Sequence, residues 1–206
     1  YSVEASISRL PYVRSYTPAD VSSSSVPASS IVTYRFNPSK LNDSKVKFTW
    51  MDGGLRPSQP DQIKEDIGVG GILIYGEKGI ISCNDYGTRA KLYIDGEVVE
   101  TGQFDGIPSN SFNHYTSWVE AMVDGYGSDK HKNLNSGFDV AGPISEVVLL
   151  GNVAVRSGLL KRSPRSNVFI GRKRLDYDSK NMVITNFDQA NQFLTREYRK
   201  GWELNI

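Results

Sequence analysis

The chain has one cysteine, two histidines and almost no net charge, and each scarcity removes a class of function. Cys83 stands alone, which excludes an internal disulfide and any zinc cluster built on thiolates. His114 and His131 lie 17 residues apart and supply at most half of a zinc site, so no metal cofactor is expected. Lys and Arg number 24 against 23 Asp and Glu, a net charge of +1. Nucleic acid and anionic membranes call for a clear basic excess, so neither is expected as a partner. No apolar run reads as long enough to span a bilayer. The opening YSVEAS lacks both Met and the charged n-region of a signal peptide, and reads as the start of an excised or processed piece. Also missing are the Gly-x-Ser-x-Gly elbow and the phosphate-binding P-loop.

What is present suits a single α+β domain over residues 1–206. Apolar residues make up 38% and aromatics 11%, enough for a core, while 19 Gly and 9 Pro imply many turns. Val3, Ala5 and Ile7 alternate with polar neighbours, as a first strand does. Residues 15–30 are Ser- and Pro-rich and read as an exposed loop. From 31 to 36, Val32, Tyr34 and Phe36 share one face. In VKFTWMDGG, Val46, Phe48 and Trp50 alternate with Lys47, Thr49 and Met51, which predicts a half-buried strand. The short polar link between these two strands predicts an antiparallel hairpin. Three more short strands are expected at about 71–75, 79–84 and 90–94 as a meander.

Helical spacing joins Phe112, Tyr115, Trp118, Val119 and Met122, with Gly125 as a C-terminal cap and Tyr115 and Trp118 as core contacts. A second helix is predicted from Pro143 to Arg156, with Pro143 in its first turn. Its packed stripe would be Ile144, Val147, Val148, Gly151 and Val155, and Gly158 would end it. Residues 156–174 carry seven basic side chains in a loop-like context. A short strand (RLDYD) and a helical segment over 187–198 complete the chain. The fold class is α+β, an open and mostly antiparallel sheet with helices packed on one face. The sheet's other face, with Arg35, Lys47, Thr49 and Met51, must be covered or lie open to water.

Several motifs invite chemistry. Gly68-Val69-Gly70-Gly71 has the glycines of a dinucleotide fingerprint, but a charged loop precedes it and a strand follows it. A pyrophosphate site needs a strand before and a helix after, so the reading here is an entry to a strand. Gly151 inside a helix reads as a close helix–sheet contact. Cys83, in an Ile-Ile-Ser-Cys strand, reads as buried filler. Asp52, Asp85, Asp139 and Glu146 could pair as in a glycosidase, which spacing alone does not decide. His114 opens a helix and could face a ligand or solvent. Asp52 falls in phase with Trp50 where its strand ends. It either closes a turn, with the N–H groups of Gly53 and Gly54 as partners, or faces a ligand.

Three blocks of sequence, taken together, carry a family resemblance. They are WMDGGLRPSQP; GGILIYGEKGIISCNDYG followed by HYTSWVEAM; and FDVAGPISEVVLLGNVAVRSG with NMVITNFDQANQFLTREYRKGWEL. Over about residues 30–206, and in order, they resemble the C-terminal domain of bacterial Gfo/Idh/MocA-type oxidoreductases, the glucose–fructose oxidoreductase and inositol dehydrogenase group, in the branch common in Bacteroidetes. The resemblance implies a parent enzyme using NAD or NADP, bound by an N-terminal Rossmann domain absent from this chain that also supplies a catalytic lysine. An Asp-x-x-x-His-like element early in the second domain assists proton transfer in such enzymes, and neither part has a counterpart here. No catalytic, cofactor-binding or metal-binding residue is therefore carried over. The expected substrate-lining residues are Trp50, Asp52, Gly53, Gly54, Tyr86 and His114. The resemblance further implies a sugar or polyol substrate, a Rossmann-domain partner and homo-oligomers formed through the open sheet face. The compartment, cytoplasmic or periplasmic, stays open. Residues 159–174 depart from the family pattern as an insertion. A binding or oligomerisation module, and a parent that cleaves glycosides through the same cofactor, are the alternatives.

Overall fold

The computed structural model describes residues 1–8, 27–40, 42–99 and 113–203. In chain order the strands are β1 (Ser2–Ile7), β2 (Ser30–Phe36), β3 (Val46–Met51), β4 (Ile72–Tyr75), β5 (Ile80–Cys83), β6 (Lys91–Ile94), β7 (Glu97–Val99), β8 (Leu175–Asp178) and β9 (Val183–Ile184). The helices are α1 (His114–Asp124), α2 (Asp129–Lys132) and α3 (Phe138–Ser157), followed by a 3-10 turn over Asp188–Phe193. The chain divides into two compact units, Tyr1–Leu55 with Ala141–Ile206, and Arg56–Val140. Open antiparallel sheets with helices make this an α+β protein, as the pattern of elements predicts.

The first unit is built on a five-stranded sheet in the order β3-β2-β1-β8-β9. The expected hairpin pairs Val32 with Trp50 and Tyr34 with Phe48. Val3, Val32, Tyr34, Leu175 and Tyr177 point to one side and form the core with Leu150, Val153 and Ala154 of α3. Val3 and Leu175 are fully buried, each worth about 1.5–3 kcal/mol relative to exposure. Gly151 lets α3 settle on the sheet: a Cβ there would stand 2.3 Å from the Tyr34 hydroxyl. The close contact expected at this glycine is present.

Four expectations about this unit need correction. Val46, Phe48 and Trp50 are 40%, 42% and 55% exposed, so β3 is not half-buried. It is an edge strand, and α3 covers the sheet's centre at Val32 and Tyr34 without reaching it. Phe48 finds its packing by stacking on Tyr34, with centroids 5.5 Å apart. The helix α3 begins at Phe138, which puts Pro143 in its second turn rather than its first. Its buried positions are Leu150, Gly151, Val153, Ala154 and Ser157, with Val147 and Val155 partly covered. Ile144 and Val148 stay exposed because the helix is rotated so that Leu150 and Ala154 flank the glycine contact. By length and composition α3, with mean hydropathy 1.4, is also long and apolar enough to cross a bilayer. Its Gly151 side nonetheless lies on the sheet, as a core helix does. Finally, the predicted 187–198 helix is a six-residue 3-10 turn. There the Asn191 amide brackets the main chain of Ile184, at 2.7 Å to its N–H and 3.1 Å to its carbonyl. Asn191 thus caps the β9 edge as a neighbouring strand would.

The second unit carries the meander β4-β5-β6-β7. Its core is small: Ile63, Ile80 and Tyr93, with Ile67 and Leu73 against them. Strand β7 is absent from the sequence reading, although Asp95 and Gly96 (φ +51° and +82°) form the hairpin turn that the dipeptide signals. Helix α1 is capped by Asn113 Oδ1, which accepts from the N–H groups of Tyr115 and Thr116, and by Gly125 at its end. Of its residues only Ala121 is buried; Tyr115 and Trp118 are 85% and 58% exposed and are not core contacts. The helix packs beside α2, and a four-residue helix is too short to cover an apolar stripe. Phe112 lies outside the described residues.

Candidate functional site

The corner where β3 ends gathers four of the six expected substrate-lining residues. The β2–β3 register sets Asp52 opposite Ser30, and the Asp52 N–H donates to the Ser30 carbonyl at 3.1 Å. The carboxylate folds back on the same residue: Oδ1 accepts from Ser30 N and Oδ2 from Ser30 Oγ, both at 2.7 Å. Trp50 Nε1 donates to Oδ2 at 3.2 Å. The partners of Asp52 are therefore Ser30 and Trp50, not the N–H groups of Gly53 and Gly54. The reason is geometric, since a side chain directly opposite Ser30 reaches that buried donor across the ladder. Ser30 is the residue that sequence reasoning missed, because its role depends on register rather than on any local motif.

Gly53 and Gly54 turn the chain away, with φ +65° and +84°, and Leu55 N closes the turn on the Asp52 carbonyl at 3.3 Å. Gly53 is required twice over. A Cβ there would lie 2.1 Å from the Ala28 carbonyl oxygen, in a conformation that L side chains rarely adopt. The corner presents an exposed indole face beside a carboxylate that already accepts three hydrogen bonds. A carboxylate offers about four lone-pair positions, so roughly one remains for a hydroxyl donor.

Tyr86 and His114 belong to the second unit, apart in sequence from that corner. Tyr86 is 87% exposed on the β5–β6 turn, where Asn84 Oδ1 accepts from the N–H groups of Tyr86 and Thr88. His114 is the exposed first residue of α1. Gly68–Gly71 leads into β4, and a Cβ on Gly71 would meet the Cys83 carbonyl at 2.5 Å. With a strand after it, this segment offers no helix N-terminus to a pyrophosphate and does not fit a dinucleotide. Cys83 itself is a half-buried free thiol. Among the described residues, no group of three His, Cys, Asp or Glu is placed to hold a metal.

Two ionisable clusters were not anticipated. In the first unit, the Tyr1 hydroxyl donates to Glu146 Oε1 at 3.2 Å, and the Tyr1 and Tyr177 rings meet edge to face. Burial, reinforced by Glu146, raises the Tyr1 hydroxyl well above its usual value and pushes Tyr177 up to about 12. In the second unit, Glu65 Oε1 accepts from Lys91 Nζ at 2.6 Å and from the Tyr93 hydroxyl. Burial and then Glu65 push Tyr93 up to about 12, while Lys91 and then Tyr93 hold Glu65 below the usual carboxylate range. Both clusters tie elements together within their units.

No protein-family model matches this chain, and comparison with curated proteins finds no match.

Proposed function

We propose that this chain is the substrate-side and assembly part of a nicotinamide-dependent sugar or polyol oxidoreductase, with the dinucleotide held by a Rossmann domain outside this sequence. The observation that carries the reading is the β3 corner, where the Trp50 indole is open to solvent and the Asp52 carboxylate is oriented beside it. An aromatic face stacks on the apolar side of a sugar ring, and an ordered carboxylate accepts its hydroxyls. The three-block resemblance supplies the reaction class. The chain's own glycine cluster does not fit the cofactor, so no hydride step is assigned to these residues.

Titration of the chain with monosaccharides and cyclitols, followed by amide and indole chemical shifts, tests the site. Shifts should concentrate at Trp50, Asp52 and the following glycines, and Trp50→Ala should abolish them. A sugar that maps elsewhere overturns the assignment. Calorimetry with NAD and NADP should show no binding, and measurable binding would refute the division of labour.

A second reading, an oligomerisation module, is favoured by the apolar side chains of β3. Val46, Phe48 and Trp50 lie uncovered along one edge, and Val148 and Ile144 are exposed on α3. Sedimentation should reveal self-association that Phe48→Lys weakens, whereas a strict monomer at high concentration removes this reading.

A further inference from the structure

The central strand β1 is paired along its whole length on one side and along only part of it on the other. It matches β2 from Ser2 to Ile7, but β8 only at Ser2 and Val3. Direct bonds fix which main-chain groups face which neighbour. Ser8 N donates to Ser29 O at 3.0 Å, so the even-numbered residues of β1 bond towards β2. Tyr1 and Tyr177 exchange both main-chain bonds, at 2.8 and 3.1 Å, so the odd-numbered residues face β8. Continuing that register would set Ala5 opposite Lys173. There the chain has already left the sheet, with Lys173 N turned onto the Gly171 carbonyl at 2.9 Å. Among the described residues, no strand continues β8 opposite Ala5 and Ile7.

A groove of about 210 Å³ lies along this open half-edge, lined by Glu4, Ala5, Ser6 and Ile7 of β1 together with Val155, Gly158, Arg172 and Lys173. The charge around it is one-sided. Glu4 is neutralised by Arg35 at 2.7 Å. Arg172 lies 3.7 Å over the Phe169 ring and its Nε donates to the Gly158 carbonyl at 3.4 Å; Lys173 lies 4.6 Å over Phe187. Both cations are held by aromatic faces and a carbonyl, and neither has a carboxylate partner among the described residues. They come from residues 156–174, which hold seven basic side chains and no acid.

We infer that this half-edge is a docking site for an extended acidic peptide segment, which adds a short strand to β1 at Ala5 and Ile7 and places carboxylates against Arg172 and Lys173. Unpaired ladder groups recognise another main chain, and the cations select the sign of its side chains. A nucleic acid or a simple anion would use the cations but leave the ladder groups unmatched.

The probe is a peptide of about eight residues, alternating valine and glutamate and blocked at both ends, the length of an ordinary strand. Added to the full chain at low salt, it should slow hydrogen exchange of the Ala5 and Ile7 amides at least tenfold. The double variant Arg172→Glu, Lys173→Glu should weaken binding at least tenfold. Ile7→Pro should do the same, since it removes an N–H that β2 does not use. Four results each overturn the inference: equal binding of the matching valine–lysine peptide, unchanged affinity in the charge-reversed variant, binding without amide protection, or full competition by inorganic phosphate. The exchange measurement and the surface charge reversal stand even if Ile7→Pro disturbs the fold.

Discussion

At Gly151 the lack of a side chain sets how closely α3 approaches the sheet, and the contact can be tested with two substitutions. A methyl group placed 2.3 Å from the Tyr34 hydroxyl must push the helix or the ring aside. Overpacking of this kind costs about 1–3 kcal/mol, against roughly 1 kcal/mol gained from alanine's helix propensity. Gly151→Ala should therefore lower the urea midpoint, and Tyr34→Phe in that background should restore part of the loss. Equal losses with and without the hydroxyl would show that the contact is not the cause. Asp52 makes a comparable case. Asp52→Ala strands the buried Ser30 N–H and hydroxyl, and hydrogen bonds to a charged group are worth about 1.5–3 kcal/mol. Destabilisation in that range is expected from denaturant curves, with Asp52→Asn milder because it keeps one acceptor for Ser30 N. The Asp-Gly-Gly turn was legible in the sequence because its conformation is a property of those residues. The partner of Asp52 was not, because Ser30 lies 22 residues away and meets it only through the register of β2 on β3.

Elements whose periodicity matches one buried face were read correctly, and those whose face is set by a neighbour were not. Strands β1 and β2 sit inside the sheet, so their alternation coincides with burial: Val3, Val32 and Tyr34 are all core. The same alternation in β3 says nothing about cover, because α3 does not reach that edge. Helix α3 shows the second limit. Its apolar residues encircle much of the helix, so spacing alone leaves the packed face ambiguous by a rotation, and Pro143 suggests a start that the chain does not use. Pro143 sits exposed in the second turn, where it cannot donate to the Asp139 carbonyl. An internal proline costs up to about 3 kcal/mol relative to alanine, less near a helix start where fewer bonds depend on it. Pro143→Ala should therefore stabilise the chain by roughly 1 kcal/mol. It should also protect the amides of residues 139–144 in hydrogen exchange. A neutral or destabilising result would mean that the first turn depends on the proline's rigidity.

The two units differ most in the size of their cores, and the tyrosine chemistry makes that difference measurable. Among the described residues, the first unit's core cluster holds eleven buried residues, including Tyr34 and Tyr177, and the second unit's holds three, one of which is Tyr93. Ionising one residue of three removes a larger share of a core than ionising one of eleven. Tyr93 and Tyr177 are each pushed up to about 12 from 10, with burial as the first cause. The folded chain therefore keeps protons that the unfolded chain releases above pH 10. Stabilisation from this source is complete below pH 10 and is lost as pH rises towards 12. Glu65 works in the opposite direction, since its lowered value favours the fold at neutral pH and is lost in acid. The expected course is that β5 and β6 exchange their amides at lower denaturant than β1 and β2 near neutrality. In alkali, the second unit should open first. Tyrosinate absorbance should then show several late-titrating groups, Tyr1 and Tyr177 among them, and one fewer in Tyr93→Phe. That variant should also flatten the alkaline loss of protection in the meander while leaving the loss in the first unit unchanged. If Tyr93→Phe leaves the number of late-titrating tyrosines unchanged, or if both units open together in alkali, the Glu65–Tyr93 pair is not what secures the smaller core.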